Sequence, residues 1–181
     1  MTALSQISED ERLFYDTVLE FARQRVGPKV MEMDEQAALE PSLLPALFEL
    51  GVMGVEIPEQ YGGAGASFFN AILAVEALAR VDPSVSVLVD VQNTLVNNAL
   101  LRWCNEEQKQ RYLPKMASEW VGSYALSEAS SGSAAGGSAL ESSATYSSVT
   151  RSGARYSPLC ASYQAWISAP VTAPVSGAGA G

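Results

Sequence analysis

The residues with the strongest claim to chemistry in this 181-residue chain stand late in it. They are the string Tyr124-Ala125-Leu126-Ser127-Glu128-Ala129-Ser130-Ser131-Gly132-Ser133 and the triplet Trp166-Ile167-Ser168. A strand end that offers backbone N–H groups beside the Ser127 hydroxyl suits a ligand edge rich in carbonyl and ring-nitrogen acceptors. An indole at Trp166 with the Ser168 hydroxyl beside it supplies a flat wall and an adjacent donor. The competing reading is that a Ser/Gly/Ala string from Ser130 onward is solvated linker, and that a lone tryptophan in a loose tail is a minor apolar anchor.

No residue is assigned as catalytic. Histidine is absent, which removes Ser-His and Cys-His nucleophile pairs and most zinc sites, and no metal-ligand set is assigned. Glu76, Glu106 and Glu107 fall on expected helices and read as solvated or salt-bridged surface groups. Gly62, Gly63 and Gly65 could form a phosphate-cradling loop, but they lack a clear preceding strand and the full G-x-G-x-x-G spacing. They read better as a tight connection between helices, where glycine supplies positive φ.

The formal net charge is −9, carried by residues 1 to 120, which hold 18 acidic and 9 basic side chains against two of each in residues 121 to 181. An acidic body lacks the basic face that nucleic acid or anionic lipid requires. Cys104 and Cys160 form no C-x-x-C pair and fit two free thiols in a reduced compartment. No segment reaches the roughly twenty unbroken apolar residues of a membrane span. The N-terminus lacks the Arg-rich, acid-poor stretch of a mitochondrial presequence.

The elements that must position the late residues are helices. Ser8 with Glu11 has the form of a capping box, and Leu13, Phe14, Thr17, Val18 and Phe21 predict a helix from about Ser8 to Val26, stopped by Gly27-Pro28. Residues 32 to 39 give only a weak pattern. A helix beginning near Pro41 carries Leu43, Leu44, Leu47, Phe48 and Leu50 until Gly51 ends it. Ser67 caps a helix holding Phe68, Ile72, Val75 and Leu78, apolar almost all the way round, as suits the middle of a bundle. Asp82-Pro83 opens a long helix through Val85, Leu88, Leu95 and Ala99, and Asn105 caps a last one through Met116. Five helices with short connections predict an antiparallel bundle over residues 1–120. From residue 121 on, Ser, Ala, Gly and Thr make up 39 of 61 residues. A strand start at Val121 to Leu126 is expected there, followed by disorder or weak β structure and a Pro/Gly/Ala tail.

Order and spacing of several strings resemble the N-terminal half of an acyl-CoA dehydrogenase of the short/branched-chain type. These are Ile57-Pro58-Glu59-Gln60-Tyr61-Gly62-Gly63-Ala64-Gly65-Ala66-Ser67, Val81-Asp82-Pro83-Ser84-Val85, Asp90-Val91-Gln92-Asn93-Thr94-Leu95, Glu106-Glu107-Gln108-Lys109, Tyr112-Leu113-Pro114, Leu126-Ser127-Glu128 and Gly132-Ser133. The resemblance implies a mainly α fold, a helical bundle over residues 1–120, followed in 121–181 by a short, degenerate start of a β domain. It implies FAD as cofactor, held by Tyr124, Ala125, Leu126, Ser127 and Ser133, with Ser133 also meeting the acyl-CoA substrate. Trp166, Ile167 and Ser168 resemble the family's Trp-Ile-Ser/Thr beside the flavin ring.

Departures are visible: Ala134 stands where the family has Asp after Gly-Ser, a turn glycine is replaced around Ser130, and Ala161-Ser162-Tyr163-Gln164-Ala165 replaces Asn-Gly-Ser-Lys. The family's α-proton-abstracting glutamate belongs to a C-terminal helical domain beyond residue 181. The chain therefore reads as an N-terminal portion, inactive alone, of an enzyme that in the family is homo-oligomeric, mitochondrial and reoxidised by an electron-transfer flavoprotein. The alternative is a non-enzymatic helical interaction or dimerisation module.

Overall fold

A computed structural model of the chain describes residues 7–124 and 165–167. Helix α1 (Glu9–Phe21) starts on the expected capping box: the Glu11 amide donates to Ser8 Oγ at 3.2 Å and the Ser8 amide donates to the Glu11 carboxylate at 2.7 Å. Each bond gives a partner to an N–H that the first turn would leave unpaired.

Gly27-Pro28 does not stop the chain. Gly27 keeps a helical φ of −48°, and the rod runs on through a π-helical turn (Ala22–Val26) and a 3-10 turn (Gly27–Lys29) into α2 (Val30–Gln36). Val26 is fully buried in the core, and proline lacks only the N–H that a first turn cannot use in any case, so packing overrides the local stop signal. The left-handed cap comes later and on a non-glycine residue, Ala37, with φ 49°.

Helix α3 (Leu43–Glu49) begins just after Pro41 and ends at Gly51, whose φ of 83° is the left-handed conformation expected there. Helix α4 (Phe68–Ala79) is capped by Ser67, and α5 (Pro83–Asp90) by Asp82, whose carboxylate accepts from the Val85 amide at 2.8 Å. Asn105 and Gln108 form the second capping box, at the head of α7 (Glu106–Ser118). α4 lies against α1 and α5, and the Ser86 hydroxyl donates to the Val75 carbonyl across the antiparallel α4/α5 pair. The α4 sequence, apolar nearly all round, is nonetheless not buried all round: Phe68 is 52 % and Ile72 38 % exposed.

α5 continues without a break through a second π-helical stretch, Val91–Asn97, into α6 (Asn98–Trp103). The residues that face inward are Gln92, Asn93, Val96 and Asn97, on the side of the rod that continues Val85 and Val89, while Leu95, expected on the apolar face, is 39 % exposed. Two apolar clusters result. One joins α1, α3, α4 and α5 through Val18, Leu47, Met53, Ala74, Leu78 and Val89; the other joins Ile57, Val96, Leu100, Leu113 and Met116.

The Asn93 carboxamide pins the turn at Val52–Gly54 to the rod. It donates to the Val52 carbonyl at 2.7 Å and the Val89 carbonyl at 2.9 Å, and accepts from the Val55 amide at 3.0 Å. Replacing Asn93 by Leu strands buried backbone groups, each costing about 1–3 kcal/mol. We expect a loss of roughly 2–4 kcal/mol, read as a lower urea midpoint at unchanged slope.

Candidate functional site

The late strings were expected to act together, and the geometry that decides this lies where the chain leaves α7. Trp120 turns back over α7, its amide donating to the Lys115 carbonyl at 2.8 Å and its ring lying 4.5 Å beneath the Lys115 ammonium. Gln92 then seizes the outgoing backbone. Its Nε2 donates to the carbonyls of Met116 (3.1 Å) and Trp120 (3.0 Å), and its Oε1 accepts from the Gly122 amide at 2.8 Å. Gln92 is fully buried, and both its amide N–H groups and its carbonyl oxygen have partners.

Gly122 opens strand β1 (Gly122–Tyr124) and is glycine for a spatial reason. A Cβ there would stand 2.5 Å from Val96 Cγ1 and 2.9 Å from Met116 Cε. β1 pairs antiparallel with β2 (Ala165–Ile167) in the register Gly122 with Ile167, Ser123 with Trp166 and Tyr124 with Ala165. Three of the expected site residues, Tyr124, Trp166 and Ile167, are thereby brought onto one two-stranded ribbon seated against the bundle, although 41 residues separate Tyr124 from Trp166 and its neighbours in sequence. Ala125, Leu126, Ser127, Ser133 and Ser168 lie outside the described residues. The predicted strand start at Val121 is observed at Gly122.

The glycine loop has no free donors for a phosphate. The amide of Gly62 donates to the Glu59 carbonyl, Gly63 to Pro58, Ala64 to Gly54, Gly65 to Ile57 and Ala66 to Val55. Gly62 and Gly65 have φ of 82° and 61°, and a Cβ on Gly63 would collide with the Ile57 backbone. The loop is therefore a packed connection, as its spacing suggested.

A shallow surface cleft lined by Gln60, Tyr61, Glu106, Gln110 and Pro114 lies along one face of α7, starting from its first residue, Glu106, at the end away from β1. In it the Tyr61 hydroxyl donates to Glu106 Oε2 at 2.8 Å and Lys109 Nζ to Oε1 at 3.1 Å. These two donors hold the Glu106 carboxyl below its ordinary pKa, while donation to that carboxylate holds the Tyr61 hydroxyl above its own. Glu106 is thus an ion-paired clamp on Tyr61 rather than a base, and Glu76 has no part in the ribbon. Among the described residues no three His, Cys, Asp or Glu side chains gather as a metal site.

Gln92, Asn93 and Asn97 were missed as functional by sequence reasoning. The available signal was Gln92, Asn93, Asn97 and Asn98, four carboxamides in a helical run that apart from Thr94 is otherwise apolar, a pattern a surface face would explain equally well.

Against known proteins, residues 8–119 match the family model for the acyl-CoA dehydrogenase N-terminal domain. The chain is 47% identical over 130 residues to a probable short/branched chain specific acyl-CoA dehydrogenase of Dictyostelium discoideum, covering 72% of this chain and 32% of that protein. It is 43% identical over 133 residues to the mitochondrial short/branched chain specific enzyme of Bos taurus, covering 74% and 31%. Among solved structures it resembles the butyryl-CoA dehydrogenase of Megasphaera elsdenii, with a TM-score of 0.60 at 27% identity, covering 65% of this chain and 31% of that one. It also resembles a Mycobacterium smegmatis glutaryl-CoA dehydrogenase in complex with FADH2, with a TM-score of 0.58 at 33% identity over 62% of this chain and 29% of that one. The chain spans about a third of the length of the curated relatives it matches.

Because the lowered Glu106 pKa reflects stabilisation of the folded state by its charged form, that contribution is present above the unfolded pKa of about 4.3 and is lost as pH falls through the folded value. Tyr61→Phe removes the first of the two donors. The Glu106 titration, followed by carboxyl carbon NMR, should move upward toward the ordinary value, and an unmoved midpoint would show that Tyr61 does not hold the carboxylate.

Proposed function

The chain belongs to the acyl-CoA dehydrogenase family, whose N-terminal domain it carries, and from that premise we propose that it forms the helical half-shell and one lip of the flavin slot of an FAD-dependent dehydrogenase of short or branched acyl-CoA thioesters. In this reading residues 1–120 are the helical domain and 121–181 begin the β domain. The observation that carries it is the ribbon: β1 is hydrogen-bonded to the bundle through Gln92 and paired with β2, so that Tyr124 and Trp166, the leading residues of two strings singled out on chemical grounds, become near neighbours.

What supports a flavin is the chemistry of the residue types: a strand end followed by the Ser127 hydroxyl suits the acceptors of the ring's pyrimidine edge, and Trp166, one register step from Tyr124, suits the ring's face. Tyr124, Trp166 and Ile167 would hold it from the described ribbon, with Ala125, Leu126, Ser127, Ser133 and Ser168 continuing the contact and Ser133 also meeting the thioester. Bound there, FAD would supply a hydride acceptor for α,β-dehydrogenation. The chain's own work is to seat the ribbon, present the donors and cover one side of the slot with apolar helix. No carboxylate of this chain is assigned as the base for the α-proton, and turnover by the chain alone is not expected. The family relationship further supports an electron-transfer flavoprotein as electron acceptor, a homo-oligomeric enzyme and a mitochondrial matrix location.

The exposure of Val87 (57 %), Phe68 (52 %) and Leu95 (39 %) favours a second reading, a helical interaction module that buries this apolar surface against a partner. Adding FAD to the purified chain separates the two. We expect saturable quenching of flavin fluorescence, weakened roughly 3- to 10-fold by Trp166→Ala through loss of one aromatic contact, and no oxidation of a branched acyl-CoA with an artificial electron acceptor. A colourless chain that never binds FAD but forms helical oligomers would transfer the assignment to the interaction module, and acyl-CoA turnover would refute inactivity.

A further inference from the structure

We propose that Gln92 is a positioning residue for the cofactor site, fixing where the β1/β2 ribbon stands on the bundle and hence where Tyr124, Trp166 and Ile167 are presented. The inference rests on the reading above in assigning these residues to a flavin; the seating of the ribbon itself does not depend on it.

Three observations converge. Gln92 is fully buried and bonds three backbone groups on the exit path, the Met116 and Trp120 carbonyls and the Gly122 amide, at 3.1, 3.0 and 2.8 Å. It spans the end of α7 and the first residue of β1, so it sets both the point and the direction in which the chain departs. Gly122 is pressed against Val96, one turn along the same helical rod, with no room for a methyl group. The Gln92 Oε1 acceptor for the Gly122 amide and the steric wall of Val96 together fix where the strand sits. Gln92, Asn93 and Val96 stand at i, i+1 and i+4 of the rod and all three face inward.

The neighbouring carboxamides Asn93 and Asn97 contribute to folding through bonds elsewhere than the exit. Asn93 bonds Val52, Val55 and Val89, and Asn97 donates to the Met53 carbonyl at 2.9 Å. Gln92 differs from both in bonding only to the segment that leads into the ribbon. Its replacement should therefore release the ribbon while α4 and α5 remain in place, a signature that loss of general stability would not produce.

The test uses the 181-residue chain with Gln92→Met, which keeps the volume and removes the amide. Amide hydrogen exchange at Gly122–Tyr124 and Ala165–Ile167 should accelerate at least 10-fold while the amides of α4 keep their protection, and the dissociation constant for FAD should rise at least 10-fold. Should Gln92→Met fail to fold, Gly122→Ala disturbs the same seat from the strand's side and should give the same pair of changes. Adding Val96→Ala to that variant removes the closest of the clashing atoms, Val96 Cγ1, and should restore both in part. Unchanged protection of β1 and β2 in either folded variant, or unchanged FAD affinity after the ribbon is released, overturns the proposal. If the parent chain binds no FAD, the flavin reading has failed, and the role of Gln92 stands or falls on the exchange measurement.

Discussion

A carboxamide removed from water must find a partner for each of its polar groups or cost the fold about as much as several good apolar contacts gain. This requirement, met at Gln92 and Asn93, organises the rest of the molecule. Asn93 ties the turn after α3 to the α5–α6 rod, and Gln92 ties the end of α7 and the start of β1 to the neighbouring position of the same rod. Two adjacent side chains thus join segments about forty residues upstream and thirty downstream, and each joint exists only when the whole bundle is assembled.

Ordinary helical phase lets adjacent residues serve both joints. At about 100° per residue Gln92 and Asn93 flank the stripe marked by Val85, Val89, Val96 and Leu100. Both carboxamides are therefore buried, and the stripe runs on into the second apolar cluster. The first π turn, Ala22–Val26, lies where the chain runs past Gly27-Pro28 with Val26 still in the core.

The loop of Gly62 to Gly65 shows how chemistry and packing are told apart. Glycines in that number invite a phosphate, but a phosphate loop is defined by amides aimed at nothing in the protein, and here the amides of Gly62, Gly63 and Gly65 all end on backbone carbonyls. By the same standard Glu106, bonded by Tyr61 and Lys109, is committed to holding the surface together. Residues 8–119, which match the N-terminal domain of the acyl-CoA dehydrogenase family, hold both of these features, and in the proposed reading the cofactor contacts start where that domain ends.

Local chemistry was readable from the sequence wherever a few adjacent residues suffice. Ser8, Ser67, Asp82 and Asn105 each cap the helix they introduce, Gly51 takes the left-handed conformation, and the strand begins at Gly122 within a residue of where the composition changes. The family strings could be read for the same reason, since they are contiguous. What only the tertiary structure decided depends on phase and distance: the two π turns, the inward placement of Gln92 and the exposure of Leu95, the passage through Gly27-Pro28, and the pairing of Ser123 with Trp166. Propensity and capping act over one turn of chain, whereas the face a helix presents is set by what it must bury against segments many tens of residues away. A buried glutamine and an exposed one look alike until those segments are in place.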